Sequence, residues 1–561
     1  MENATTHRWR TVVLLASTAC LAAPGAGLCA DPGNGKNLPA PPATAFQGFA
    51  EGSRIDELVL ARLKESGLPP SEKCTDETFV RRVFLDAIGT LPKPWEVRKF
   101  LADKHPDKRS RLIDDLLSRV EFAEYWGLKW GDLLRVKSEF PCNLWPNAVQ
   151  AYDRWIRDCL RDNMPYDRFA RELLTANGSN FRVPPANFYR AFQDRAPASI
   201  AEYVALVFMG LRLHDAGLTE EQLLGFAAFF AKVGFKNTDE WKEEIVYFKP
   251  DGKLTGSDTN RIVRPTPLGG KPLALRPDED PRVAFADWLT APRNPWFARS
   301  IVNRIWFWLL GRGLVHEPDD MKRANTPWSP ELLAYLEKEL VAGRYDLKHI
   351  YRLILNSNTY QLDAQPNRWN AADEEGFSHY RIRRLDAEPL LDAINQITGG
   401  GEKYTSAIPE PFTVLPGDQR AIALADGSIE SPFLELFGRP PRNTSFEAER
   451  NATPSVFQAQ HLLSSSHIQN KIMHSKVLQQ IATGATKPEE QKPPSEPAGS
   501  KKAGNNGPVE ELYLRILSRF PTEEEKRIAT DYMTAPGRTA SDSACDLAWA
   551  LINTKEFALR H

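Results

Sequence analysis

Five charged residues in the second half of the chain are closely spaced and could contact a ligand. They follow a proline turn and are Arg439, Arg442, Glu447, Glu449 and Arg450. Guanidinium groups bind carboxylate or sulfate through two parallel hydrogen bonds, so one interpretation is an anion clamp for an acidic glycan. The other is a salt-bridge network inside the protein that holds two domains together. The charged run Arg383–Glu388 permits the same two interpretations, and the structural one is favoured because this run opens a helix.

Two tryptophans form a second candidate ligand site. Trp126 and Trp130 are four residues apart on one face of a predicted helix, with Arg135 just beyond them. Aromatic planes beside polar groups could hold a sugar ring, whereas an aromatic stripe at helical spacing is usually part of a core. We keep all three residues as candidate ligand-binding positions.

The histidines do not form a recognisable metal site. His214 lies in a loop without a second ligand at metal spacing. In one predicted helical stretch His467 and His474 share a face, and His461 lies off it. Metal-binding histidine pairs on a helix are usually four residues apart, so we predict no metal. Nucleophile-elbow, phosphate-loop and dinucleotide motifs are also absent from the sequence, which leaves the catalytic residues unknown.

The first thirty residues are typical of an export signal. Arg8 and Arg10 precede the short apolar run Thr11–Ala23, and cleavage is expected after Ala30. A lipoprotein signal cut at Cys20 and an uncleaved anchor are the alternatives. We therefore expect a periplasmic or cell-surface protein with no transmembrane anchor. The formal net charge of −2 offers no general attraction to nucleic acid.

The cysteines exclude a disulfide scaffold. Cys20 and Cys29 would leave with the signal, and the other four are Cys74, Cys142, Cys159 and Cys545. None of these four are two or three residues apart, so zinc-type and redox-type pairs are both absent. Cys142 and Cys159 either form one bridge or are small buried hydrophobic residues.

Hydrophobic periodicity predicts a mainly α fold of two helical domains joined by a short β-hairpin and linker. In the linker, the run 245–248 is expected to pair with 261–263 around Asp251–Gly252. The predicted parts are a signal (1–30), a flexible leader (31–50), a first helical domain (51–235), the linker (236–278), a second helical domain (279–483), a disordered insertion (484–508) and a C-terminal helical part of the second domain (509–561).

Ordered sequence blocks along both halves resemble one family. The first half carries Phe79–Pro92, Trp130–Arg135 and Met164–Leu174; the second carries Arg299–Trp306, Leu353–Tyr360 and Trp549–Phe557. Together they resemble the cytochrome-associated exported proteins of planctomycetes. In these proteins a PSCyt-type domain of unknown function (1549) is followed by a PSD-type domain of unknown function (1553).

The chain departs from that family where haem would be attached. Family members place Cys-x-x-Cys-His in the position of Arg212–Gln222, and a later cysteine pair where this chain has Phe446 and Ala448. Covalent haem needs two thiols and an adjacent histidine ligand. Because both cysteine sites are missing, the resemblance implies a haem-less variant without a cofactor.

The resemblance also limits the function that we expect. It implies an exported binding or assembly component, with an exported sulfatase-like protein of unknown function as a partner. The alternative is an enzyme acting on sulfated polysaccharide, with carboxylates for catalysis and the arginine-rich segment as anion clamp. That alternative predicts a cleft that contains the arginine-rich segment, an aromatic wall and a carboxylate of raised pKa.

Overall fold

The computed structural model describes residues 41–46, 49, 52–256, 261–484 and 507–561. The predicted signal, most of the leader and nearly all of the predicted insertion lie outside these residues.

The described residues before the linker are helical, as the periodicity predicts. The helices are α1 (Arg54–Ser66), α2 (Asp76–Ala87), α3 (Pro94–Ala102), α4 (Lys108–Ser118), α5 (Val120–Leu133), α6 (Pro146–Arg161), α7 (Tyr166–Leu174), α8 (Pro197–Met209) and α9 (Glu220–Ala227). Local capping explains several starts: Thr75 accepts from the Thr78 backbone N–H before α2, and Thr219 with Gln222 forms a capping box before α9.

A small antiparallel sheet joins the linker to the residues before it, and its strand pairing differs from the predicted hairpin. Its strands are β1 (Gly178–Ser179), β2 (Val233–Asn237) and β3 (Glu244–Phe248), in the order β1–β3–β2. The predicted strand 245–248 therefore pairs with the residues before it, Val233 lying opposite Phe248. The predicted partner 261–263 forms only an isolated bridge between Ile262 and Thr255. Val246 is fully buried in this pairing, which the short apolar runs alone could not specify.

Helices also dominate the second half. They are α10 (Pro281–Leu289), α11 (Phe297–Leu310), α12 (Pro330–Ala342), α13 (Leu347–Asn356), α14 (Ala387–Thr398), α15 (Pro432–Leu436), α16 (Val456–Ser464), α17 (Ser466–Met473), α18 (Lys476–Ala482), α19 (Pro508–Leu517), α20 (Glu523–Met533), α21 (Ala540–Ile552) and α22 (Lys555–Ala558). A two-stranded sheet joins β4 (Arg383–Arg384) to β5 (Leu559–Arg560). The described chain is thus mainly α.

Two hydrophobic cores organise these helices. The first combines α1–α13 with Ile422, Ala425 and Leu514, and the second is built mainly from α14–α21 with Phe557. Helices of the second half therefore contribute to both cores, α10–α13 completing the core of the first half. This arrangement brings the segment 413–429 against α5 and α6.

Candidate functional site

The arginine-rich segment forms ion pairs inside the protein. Arg442 Nε donates to Asp132 Oδ1 at 2.9 Å, and Arg450 Nη2 donates to Asp132 Oδ2 at 2.7 Å. Arg450 also donates to both carboxylate oxygens of Glu388, at 2.6 and 3.1 Å. We call Asp132, Arg442, Arg450 and Glu388 the Asp132 network. Its arginines bind carboxylates of the chain itself, as the internal salt-bridge interpretation expects.

The electrostatics of the Asp132 network fit a buried ion-pair group. Burial by itself would raise the pKa of Asp132, but the neighbouring Arg450 and Arg442 hold it below its usual value. Burial would lower the pKa of Arg450, and Asp132 with Glu388 raises it well above the ordinary value. Asp132 and Arg450 are therefore charged at neutral pH, and removal of either one leaves an uncompensated buried charge.

Backbone geometry and two glycines make room for Arg442. Its φ is 57°, a left-handed conformation at the end of the proline turn. A Cβ at Gly131 would lie 3.0 Å from the Arg442 guanidinium, and one at Gly427 would lie 2.7 Å from its Cδ. The guanidinium also donates to the carbonyls of Val136 and Ala425, at 2.9 and 2.7 Å. Arg442 thus fills a space that both halves of the chain build around it.

The other charged candidates also have internal partners. Glu447 accepts from Trp308 Nε1 at 2.9 Å and lies 3.3 Å from Arg304 Nη1. Burial raises the pKa of Glu447, against the opposing effect of Arg304. Glu449 accepts from two backbone N–H groups of its own loop, and Arg439 donates to the carbonyl of Ile429. Arg135 donates to Ser445 Oγ at 3.1 Å.

Trp126 and Trp130 lie in the first core. Trp126 donates its Nε1 to the carbonyl of Ala87 at 3.0 Å, and its ring lies 4.5 Å from that of Tyr351. Trp130 packs against Phe169, with ring centroids 5.1 Å apart. Both tryptophans are 1% exposed, so neither presents a face to a ligand. The run Arg383–Glu388 is also internal: Lys129 Nζ, for example, lies 2.8 Å from Asp386 Oδ2.

A cleft of about 450 Å³ lies where the two halves of the chain meet, and we call it the junction cleft. One wall is formed by α5 and α6, and the other by the segment 413–429. Its charged lining residues are Glu124, Asp153, Arg154, Arg157, Asp158, Arg161 and Asp426. Within the described residues its lining includes none of the eight candidate ligand-binding residues from the sequence, which are the five of the arginine-rich segment together with Trp126, Trp130 and Arg135.

Two carboxylates of the junction cleft have raised pKa values. Asp153 lies 2.6 Å from Arg157 Nη2, yet burial raises the pKa of Asp153 above its usual range, more than Arg157 lowers it. Burial likewise raises the pKa of Glu124, with Arg420 acting in the opposite direction. These two carboxylates therefore keep a proton to a higher pH than ordinary surface carboxylates do.

Two other cleft residues have polar groups without internal partners. Arg154 is exposed on α6 and forms no ion pair within the described part of the chain. Thr413 is 8% exposed, and its hydroxyl has no hydrogen-bond partner there. A buried hydroxyl without a partner is costly, so Thr413 is a position where a ligand could supply the missing bond. The sequence holds no signal for Thr413, since its burial depends on packing across the junction.

The structure brings together two histidines that the sequence places on different helix faces. Ser465 accepts from the Ile468 backbone N–H, and this cap divides the predicted single helical stretch into α16 and α17. As a result His461 Nε2 lies 3.4 Å from His467 Nδ1, and His467 Nε2 lies 2.9 Å from Glu402. No group of three or more potential metal ligands occurs among residues 41–46, 49, 52–256, 261–484 and 507–561.

The two segments that the family resemblance aligns with haem attachment lie close together in space. The Arg212 guanidinium lies 5.0 Å from the ring centroid of Phe446, so the two cysteine-free segments meet. The imidazole of His214 is 79% exposed and lies 3.9 Å from Glu202. Neither segment contains a thiol, so these residues cannot attach haem covalently.

Comparisons with known proteins identify both halves of the chain. Residues 54–216 match the family PSCyt2, a protein of unknown function (DUF1549). Residues 281–533 match PSD1, a protein of unknown function (DUF1553). No curated protein and no solved structure matches the chain. In the described part of the chain no helix has the length and apolar character needed to cross a bilayer.

Proposed function

We propose that this chain, in which a PSCyt2 domain is followed by a PSD1 domain, is an exported, haem-free binding component on the periplasmic or surface side. The observation that carries the proposal is the junction cleft, whose walls come from both domains. Arg154 and the Thr413 hydroxyl offer polar groups there that no described residue satisfies. Such a cleft is the usual form of a ligand site.

An acidic glycan is the ligand class that the arginine-rich segment suggested, and the junction cleft is the place that we propose for it. Arg442 and Arg450 already bind Asp132 and Glu388, so the anion would have to meet Arg154. The family resemblance adds an exported sulfatase-like protein as the proposed partner. Both proposals need the two domains to act as one unit.

The proposal is tested on the mature protein, exported by a host that can attach haem. We expect the mass of the unmodified polypeptide after residue 30, and no stoichiometric iron by elemental analysis. Binding to immobilised polysaccharides should fall in Arg154→Ala and Thr413→Val, and Arg293→Ala, a surface arginine away from the cleft, serves as control. Covalent haem, or binding unaffected by both cleft substitutions, would contradict the proposal.

A second candidate function is hydrolysis of a glycan in the same cleft. The raised pKa of Asp153 favours it, because a protonated carboxyl can act as a general acid. Asp153→Asn should then abolish release of reducing sugar and retain ligand binding. If wild-type protein bound a polysaccharide and released no sugar from it, this candidate would fail and the binding role would stand.

A further inference from the structure

Three aromatic rings from three separate segments meet, and two of them belong to residues that directly precede lining residues of the junction cleft. The ring of Trp145 lies 5.3 Å from that of Trp241 and 5.4 Å from that of Phe412. Trp145 precedes α6, Trp241 lies between β2 and β3, and Phe412 belongs to the second domain. Trp241 is 59% exposed and Phe412 is 43% exposed. We call these three residues the aromatic platform.

The backbone of Trp145 is held in an unusual conformation. Its φ is 73° and its ψ is 146°, a region that residues with a side chain rarely occupy. Such conformations persist only where the surrounding structure imposes them, and they are concentrated at functional sites. Here the conformation places the indole against Trp241 and Phe412, where much of the platform stays open to solvent.

The aromatic platform and the junction cleft are built from neighbouring residues of the same segments. Trp145 and Phe412 directly precede Pro146 and Thr413, and both of these successors line the cleft. Val414, the next lining residue, is 62% exposed. Lys242 Nζ lies 5.1 Å from the Trp145 ring centroid and 5.5 Å from that of Trp241. The platform rings and the polar lining of the cleft are thus held in place by the same two segments of backbone.

We infer that the aromatic platform is a sugar-stacking subsite and that the cleft holds a polysaccharide chain. A pyranose ring has an apolar C–H face that packs on an aromatic ring, and a rim of hydroxyls that needs donors and acceptors. Arg154, Asp153 and the Thr413 hydroxyl offer such groups in the adjoining cleft. This inference rests on the proposed function and adds to it a subsite on which a sugar ring of the ligand would stack.

The charges of the site favour a sugar over a nucleic acid, which would also stack on aromatic rings. The cleft lining contains three arginines and four carboxylates, and the chain as a whole has a formal charge of −2. A nucleic-acid groove needs an excess of positive charge along its length. Mixed carboxylates and guanidinium groups instead match hydroxyls, which both donate and accept hydrogen bonds.

The test uses the full mature chain on an array of neutral and sulfated polysaccharides, with poly-L-glutamate and single-stranded DNA as sugar-free polyanions. We expect binding to at least one polysaccharide and to neither polyanion. Trp241→Ala and Phe412→Ala should each weaken that binding by about tenfold, equivalent to about 1.4 kcal/mol. Tryptophan fluorescence of the wild type should change on binding, and the change should be smaller in Trp241→Ala.

Tyr247→Ala is the matched control, because Tyr247 is a partly exposed aromatic residue of the same small sheet outside the platform. It should bind like the wild type. If Arg154→Ala lost binding while Trp241→Ala and Phe412→Ala kept it, the platform would not be a sugar subsite. The cleft would then remain as the binding site. If only Trp241→Ala and Phe412→Ala lost binding, the aromatic platform would stand as a sugar subsite and the junction cleft would be refuted as part of the site. Binding to no polysaccharide, or to DNA instead, would overturn the inference.

Discussion

Arg442 in the second domain donates its Nε to Asp132 Oδ1 in the first domain at 2.9 Å, and Arg442 is 3% exposed. The two residues are far apart in the sequence, and each belongs to a different family domain. Arg450 connects the same carboxylate to Glu388. The contact between the domains therefore includes a buried charge network as well as shared hydrophobic packing.

Removal of Asp132 should destabilise the whole protein. Asp132→Asn leaves Arg442 and Arg450 without their shared carboxylate, and breaking a buried ion pair typically costs about 3–5 kcal/mol. Urea denaturation should show this loss as a lower midpoint. Arg527→Ala breaks an exposed pair with Asp531 and should leave the midpoint unchanged. Equal midpoints for Asp132→Asn and wild type would show that the network contributes no stability.

Gly427 should be intolerant of a side chain because Arg442 fills the space beside it. In Gly427→Ala the new Cβ would approach the Arg442 side chain at 2.7 Å, and overpacking of this kind costs about 1–3 kcal/mol. Gly417, nearby in the sequence, has no atom within 4 Å of the place that a Cβ would occupy. Gly417→Ala should therefore be neutral in the same denaturation experiment. If both variants lost a similar amount of stability, the cause would be the loop backbone and not a clash with Arg442.

Thr413 should show opposite effects on stability and binding. Thr413→Val removes a buried hydroxyl that has no partner and keeps the side-chain shape, so it should stabilise the protein by about 1 kcal/mol. The same change removes a hydrogen-bonding group from the junction cleft, so ligand binding should weaken. Thermal unfolding and binding on one preparation check both parts. A destabilised Val variant would mean that the hydroxyl has a partner after all.

Asp392 should make stability fall as the pH rises. Burial raises the pKa of Asp392 to about 7, although its carboxylate accepts from the backbone N–H groups of Ile422 and Ala421. The folded state therefore binds a proton more tightly than the unfolded state does. This contribution is complete below the unfolded pKa of 3.8 and is lost as pH rises toward 7, by up to about 4 kcal/mol.

Denaturation between pH 4 and pH 8 compares Asp392→Asn with the wild type. The decline attributed to Asp392 should be absent in the variant, which cannot titrate there. Asp531→Asn, an exposed aspartate, should keep the wild-type slope. Identical slopes for wild type and Asp392→Asn would show that this carboxyl does not change its protonation on folding.

The four cysteines in the described part of the chain should be free and unreactive in the native state. Cys74, Cys142, Cys159 and Cys545 are all buried and unpaired. Burial raises the pKa of Cys142 to about 11 and that of Cys159 to about 12, so little thiolate is present at pH 8. In protein prepared without residues 1–30, iodoacetamide should add no label natively and four labels in urea, as counted by intact mass. If only two of the four cysteines were labelled in urea without reductant, the other two would form a disulfide.

Some of the architecture could be read from local sequence signals. Apolar periodicity and caps such as Thr219 with Gln222 specify helices without reference to distant residues. The ordered blocks in each half identified the PSCyt2 and PSD1 domains in the right order. The partner of the strand at 245–248 was mispredicted, because strand pairing depends on burial of Val246 against β1 and β2. The division at Ser465 was also missed, and with it the contact between His461 and His467.

The amino-acid sequence by itself determined the helices, the order of the two domains and the absence of thiols at both haem-type positions, since these follow from local pattern and composition. Tertiary structure decided which polar residues are available to a ligand. The sequence permitted Arg442 and Arg450 to bind an anionic ligand. In the fold they form ion pairs with Asp132 and Glu388 instead. No sequence pattern connects Trp145, Trp241 and Phe412. Their rings meet only after the small sheet and the second domain pack against α6.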